Sequence, residues 1–168
     1  MPSAHCSKVR LMIAAAVLCL AAGMVIVQAS PADILASKSR QDKLRDMGGA
    51  FKAIDDELKK SNPDWDGVIK PNADTIKSRS GYLLGWFPKG SGLEAGVKTY
   101  ALPLIWQKPD DFTKLGNAMA AEAAKLNQIA QTTKDAGALR AQYVVVGKAC
   151  KACHDTYRSP DYEKDQDN

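Results

Sequence analysis

The chain of 168 residues carries 23 lysines and arginines against 19 aspartates and glutamates, a formal charge of +4 with histidine neutral. That near-balance, without a basic block interleaved with aromatic residues, argues against a nucleic-acid partner.

The first 29 residues differ from the rest. Lys8 and Arg10 precede an apolar run from Leu11 to Val27, and Val27-Gln28-Ala29 offers the small residues a signal peptidase reads. The pattern predicts a secretory signal peptide over residues 1–29. The competing reading is a membrane anchor, since seventeen apolar residues sit at the lower limit for a spanning helix. A lipid attachment at Cys19 is disfavoured by Ala16-Val17-Leu18, which puts leucine where a small residue is needed. Removing 29 residues from 168 leaves 139, enough for one domain with a real core. With Lys8 and Arg10 gone, 21 basic residues face 19 acidic ones, a formal +2, and only Cys150, Cys153 and His154 remain as soft ligands.

Leu44, Met47, Phe51, Ile54 and Leu58 alternate three and four apart, as one face of a helix requires, and predict helix A over 33–60. Turn formers at Ser61-Asn62-Pro63-Asp64 end it. Ile69, Ala73, Ile76, Ser80 and Leu83 then mark helix B, with Pro71 near its start or at a kink. Pro88, Gly90, Gly92, Gly96 and Pro103 make 85–103 a long crossover loop. Its aromatic residues Trp86, Phe87 and Tyr100, with Trp106 beyond, suggest that it packs on something apolar.

Lys108-Pro109-Asp110-Asp111 is a helix start, and Phe112, Leu115, Met119, Leu126 and Ile129 carry helix C to about Thr132. Asp135-Ala136-Gly137 turns the chain into helix D, where Leu139, Tyr143, Val146, Cys150, Cys153 and Tyr157 share a face. The prediction is an all-α fold: an antiparallel four-helix bundle over 30–158 with a long B–C crossover. Residues 159–168 are polar and aperiodic and are expected to be disordered.

Cys150-Lys151-Ala152-Cys153-His154 sets two thiols three residues apart on one helical face, spaced for the two vinyl groups of haem, with a histidine adjacent to reach the iron. This is a haem c attachment signature, with Cys150 and Cys153 as the covalent sites and His154 as axial ligand. A thioredoxin-like pair would sit near a βαβ pattern, which is missing, and zinc would need a fourth ligand. An ordinary disulfide is the remaining alternative. Export agrees with haem attachment on the outer side of a bacterial membrane, so a periplasmic location is expected.

With Arg40-Gln41, Leu44, Met47 and Phe51 in helix A, Pro103 and Ile105-Trp106 before helix C, and Cys150 to Arg158, the chain resembles the class II cytochromes c, the cytochrome c′ family. The resemblance implies attachment of one haem to the C-terminal helix, with helix A across its distal face. It implies that Leu44 caps that face, leaving iron five-coordinate and open to nitric oxide or carbon monoxide. It places Arg40 and Gln41 by a haem propionate, and Trp86, Thr99, Tyr157 and Arg158 around the haem, the last on the proximal side. It also implies a homodimer and a binding protein more than an enzyme. Met47, one turn from Leu44, keeps a second reading open: a low-spin electron carrier with thioether as sixth ligand, its redox partner proteins unidentified. After signal cleavage no membrane association is expected.

Overall fold

The computed structural model describes residues 30–165, so the leader and its cleavage point lie outside the described residues. Helix α1, Pro31–Leu58, starts where Ser30 and Asp33 cap each other: the Asp33 N–H donates to Ser30 Oγ at 3.2 Å and the Ser30 N–H to Asp33 Oδ2 at 3.1 Å. Glu57, buried near its end, accepts from the Asp64 N–H at 2.6 Å and so fixes the turn that follows. The chain re-enters helix through a π-helical turn at Trp65–Ile69, which runs directly into α2, Lys70–Gly81. Pro71 stands at the second position of α2, directly after the π-helical turn.

The crossover contains two short 3₁₀ turns, Leu83–Trp86 and Leu93–Ala95, and then α3, Leu104–Gln107. Gly90 and Gly96 take positive φ, at 87° and 67°, which the bends around Ser91 and Ala95 require. Helix α4, Pro109–Thr132, opens on proline with two acids in its first turn. Helix α5, Ala136–Tyr157, is capped by Asp135 Oδ1, which accepts from the N–H groups of Gly137 at 2.8 Å and Ala138 at 3.0 Å. The long helices α1, α2, α4 and α5 form the expected all-α bundle, and α6, Asp161–Lys164, adds one turn after it.

The main core joins Ile54 and Leu58 of α1, Ile69, Ala73 and Ile76 around α2, Met119, Ala123, Leu126 and Ala130 of α4, and Leu139 and Val146 of α5. Fully buried alanines at 73, 123 and 130 let α2 and α4 approach closely. A second cluster, Ile105, Phe112 and Tyr157, receives the crossover loop: Phe87 meets Phe112 edge-on at 4.9 Å, and Phe112 meets Tyr157 at 5.2 Å. The Trp106 indole N–H donates to the carbonyls of Phe87 and Pro88, so the aromatic loop is packed as its composition predicts.

Beyond Arg158 the described residues run on to Asp165 and touch the crossover loop. The Ser159 N–H donates to the Tyr100 carbonyl at 2.8 Å, and Lys98 pairs with Asp165 at 2.5 Å, so the polar tail finds partners in the crossover loop. No helix among the described residues is long and apolar enough to cross a membrane.

Candidate functional site

The site is framed by α1 and α5, whose contacts fix their register. Arg140 of α5 donates to the Leu58 carbonyl; seven residues earlier on α1, Phe51 stacks on Tyr143 at 3.9 Å and 10°, and a Cβ added at Gly147 would lie 3.4 Å from its ring. Numbers fall on α1 as they rise on α5, so the two helices are antiparallel. Seven further residues, about 10 Å of helix, carry α1 from Phe51 to Leu44 and α5 from Gly147 to His154. Leu44 therefore stands level with His154, and Arg40 level with Arg158.

Over this stretch the apolar stripe of α1 leaves the core. Ile54 and Leu58 are buried, whereas Met47 and Leu44 are only half-buried. Met47 still packs against the main cluster; among the described residues Leu44 joins neither cluster. Opposite them, Cys150 lies at the margin of the main core and Cys153 at the margin of the second cluster, with His154 exposed beside them.

Both thiols are free. Burial pushes the Cys150 thiol up, and burial followed by the proximity of Cys150 raises Cys153 to about 11. Thiols raised by burial do not suit a redox pair, which works through a depressed thiolate. Among the described residues no three His, Cys, Asp or Glu side chains converge to hold a metal ion. The donor set fits a covalently held haem: two thiols three residues apart at the margins of apolar clusters for thioether bonds, and an adjacent imidazole for the iron.

Arg40 is 1% exposed and its guanidinium is held by the crossover loop. Nη1 donates to Ser91 Oγ at 2.8 Å and to the Trp86 carbonyl at 3.3 Å; Nη2 donates to the Ser91 carbonyl at 2.9 Å, Thr99 Oγ1 at 3.1 Å and Ser37 Oγ at 3.2 Å. The guanidinium also lies over the Phe87 ring at 4.8 Å. Burial lowers its pKa, partly opposed by Glu94. Gln41 Nε2 donates to the Lys98 carbonyl at 2.9 Å. The polar ends of both side chains thus fasten the crossover loop to α1. Ser37 and Ser91, both fully buried, are functional partners that the sequence does not single out, since a serine in a Gly-Ser-Gly run carries no periodic signal.

The remaining expected residues frame the same end of the bundle. Trp86 is buried with Lys43 Nζ 5.5 Å from its ring, and Thr99 also accepts from the Ala101 N–H at 3.2 Å. The Tyr157 ring is buried, and its carbonyl accepts from the Leu102 N–H at 2.9 Å. The half-buried Arg158 donates its N–H to the His154 carbonyl at 3.1 Å, closing the last turn of α5.

The stacked Tyr143 titrates late: burial first, then Asp55, Asp56 and Cys150, push it up to about 12 from 10.0. A tyrosine raised in the folded state contributes stability that is present below its unfolded value and lost as pH rises through its folded one. Urea denaturation at about pH 8 and about pH 11 should show an alkaline loss in the wild type that is smaller in Tyr143→Phe, with Tyr100 and Tyr157, also raised, supplying the rest. Equal losses in both would remove the assignment.

A family profile described as Cytochrome C′ matches residues 36–158. Cytochrome c-554 of Cereibacter sphaeroides is 43% identical over 75 residues, 45% of this chain and 48% of its own length, so the chain spans about half of that relative. Cytochrome c′ of Alcaligenes xylosoxydans is 35% identical over 130 residues, 77% of this chain and 96% of that protein. Among solved structures, cytochrome c′ from Thermochromatium tepidum superposes with a TM-score of 0.70 at 26% identity, over 76% of this chain and 96% of its own. The nitric oxide complex of a leucine-to-isoleucine mutant of the Alcaligenes xylosoxidans cytochrome c prime does so with 0.64 at 30% identity, covering 74% and 94%. With its bundle and its cysteine pair in the matched region, the chain belongs to the cytochrome c′ family of covalent haem c proteins.

Proposed function

We propose that the chain is an exported, periplasmic haem protein that binds nitric oxide or carbon monoxide at five-coordinate iron, with capacity for one-electron transfer. Cys150 and Cys153 hold the haem, and His154 is the axial ligand. When bound, the haem supplies an iron that accepts an electron or a small neutral gas. The chain's own part is to fix one ligand, close the opposite face with hydrocarbon and exclude water. The observation that carries the reading is the register of α1 on α5, which puts Leu44, half-buried and outside both core clusters, at the level of His154. Leucine has no donor atom, so a charged or bulky ligand gains nothing there.

The relative's complex with nitric oxide supports the choice of gas. The second reading, Met47 as sixth ligand, is disfavoured by the packing of Met47 against the main core. A binding role precedes an enzymatic one, and the homodimer belongs to the same proposal, with sedimentation of the holoprotein as its check.

The absorption spectrum of the holoprotein decides between the two. Broad, unsplit visible bands in the reduced state are expected; sharp split bands with the far-red methionine–iron band when oxidised would establish the Met47 reading. Leu44→Met should move the spectrum toward low spin and slow carbon monoxide uptake by about tenfold or more. An unchanged spectrum would mean that Leu44 does not face the iron.

A further inference from the structure

Charge is unevenly divided along the chain. Residues 113–152, most of α4 and α5 and the turn between them, carry six basic residues against two acidic, whereas the rest of residues 30–168 carries fifteen against seventeen. Both acids of that hairpin are engaged locally: Glu122 holds Lys125 at 2.8 Å and accepts from Gln142 Nε2 at 2.8 Å, and Asp135 caps α5. Among the described residues neither Lys114 nor Lys148 meets a carboxylate, and Lys151 pairs with Asp155 in the open, where an ion pair is worth little. Helices α1 and α2 instead answer their cations with carboxylates, as Arg45 with Asp42, Lys52 with Asp56 and Arg79 with Asp46.

The same hairpin exposes apolar surface. Val144 and Val145 are 49% and 41% exposed and join neither core cluster, although β-branched residues in a helix interior give up rotamer freedom. On α5, Ala141, Val145, Lys148 and Ala152 recur at four, three and four residues and all are exposed; on α4, Lys114, Ala118, Ala121 and Lys125 repeat that spacing and exposure. Glu122 follows Ala118 by one turn and Gln142 precedes Val145 by one turn, so their hydrogen bond joins the two stripes into one outward face. The face is apolar along its middle and cationic at its margins, the layout of an interface with a dry centre and a polar rim. It also lies on the helix that carries the cysteine motif: Val145 and Lys148 precede Cys150 by five and two residues, about 7.5 Å and about 3 Å of helix rise.

We infer that this face is the docking surface of an acidic one-electron carrier protein, with Val144 and Val145 at the contact and Lys114, Lys125, Lys148 and Lys151 steering the encounter. The inference rests on the reading of the chain as a haem protein capable of one-electron transfer. Opposite charge raises the encounter rate without a large or lasting interface, which suits a partner that must leave after each electron. A carrier seated here is separated from the haem by little more than the α5 helix, about 10 Å across. The step is a single electron: the reduced partner loses one and ferric haem iron becomes ferrous, with no proton or group transferred. A basic carrier is repelled by the same lysines.

The test mixes the ferric holoprotein with a reduced, acidic plant-type [2Fe–2S] ferredoxin by stopped flow and follows the haem bands. Hexaammineruthenium(II), a small cationic reductant, reports the reactivity of the haem itself. Reduction of the wild type by ferredoxin should slow by about tenfold or more as salt rises from about 20 mM to about 200 mM. At low salt Lys114→Glu/Lys148→Glu should cost about tenfold and flatten the salt dependence, Val145→Asp should also slow the reaction, and Lys148→Arg should match the wild type. None of these variants should slow hexaammineruthenium(II). Oxidised ferredoxin, which transfers nothing, should shift the amide resonances of residues 114–125 and 141–152. A ferredoxin rate unchanged in the double reversal, an equal slowing with hexaammineruthenium(II), or shifts confined to α1 and α2 would overturn the inference. So would loss of a dimer in Val145→Asp at an unchanged ferredoxin rate, which would give the face to a second copy of this chain. A wild type that lacks haem, or whose haem neither reductant reduces, overturns the haem and electron-transfer reading instead, and the shift map still reports whether the acidic protein sits on this face.

Discussion

Replacing Arg40 with alanine is expected to lower stability by about 3–5 kcal/mol, a large part of the total for a domain of this size. The two terminal nitrogens of Arg40 donate to five oxygens on three separate stretches: Ser37 on α1, Trp86 and Ser91 in the first part of the crossover, and Thr99 in the second. Truncation removes these bonds and leaves buried acceptors at Ser91 and Thr99 without the charged donor that satisfies them. The cost of burying the guanidinium works against this gain and is visible in its lowered pKa, but arginine stays charged at any working pH. Lysine cannot substitute: its single ammonium has three donors and no planar fork, so Arg40→Lys should recover less than half of the loss. The measurement is urea denaturation, read as a lower midpoint at constant slope. A loss under about 1 kcal/mol would mean that the guanidinium is solvated and the loop is held by its aromatic contacts alone.

The four long helices are legible in the sequence because each buries a stripe recurring at three and four residues, and their ends are marked by chemistry that acts locally: Pro71, Pro109 and Asp135. The attachment motif is legible for a related reason, since all its chemistry falls within five consecutive residues. What escapes is what depends on distant partners. Periodicity assigns Leu44 and Ile54 to one stripe and cannot show that Ile54 is buried in the main core while Leu44 is half-buried and joins neither cluster. The π-helical turn at Trp65–Ile69 extends α2 backward with no composition signal. The contacts of the polar tail are invisible for the same reason, since Asp165 meets Lys98 and Tyr100, some sixty positions away. So are the partners of Arg40, because Ser91 and Thr99 reach it only through the bends at Gly90 and Gly96.

The largest functional effect is expected at the cysteines. The double variant Cys150→Ala/Cys153→Ala, expressed with haem-ligation machinery, should carry no haem after denaturing electrophoresis, whereas the wild type retains it through thioether bonds that denaturant does not break. Each single variant should keep one bond and shift the reduced bands, because one vinyl group remains unsaturated. The loss must be separated from misfolding, and the burial pattern allows this. Both thiols are half-buried at cluster margins, so removing a sulfur opens little space and should cost the polypeptide only about 1 kcal/mol each. Circular dichroism should therefore show the helical bundle intact in a protein without covalent haem. Haem still bound to the double variant after denaturation would exclude these cysteines as the attachment points. A wild type that holds no covalent haem, and whose two thiols instead form a disulfide on oxidation, would return the pair to the thiol chemistry that their raised pKa argues against.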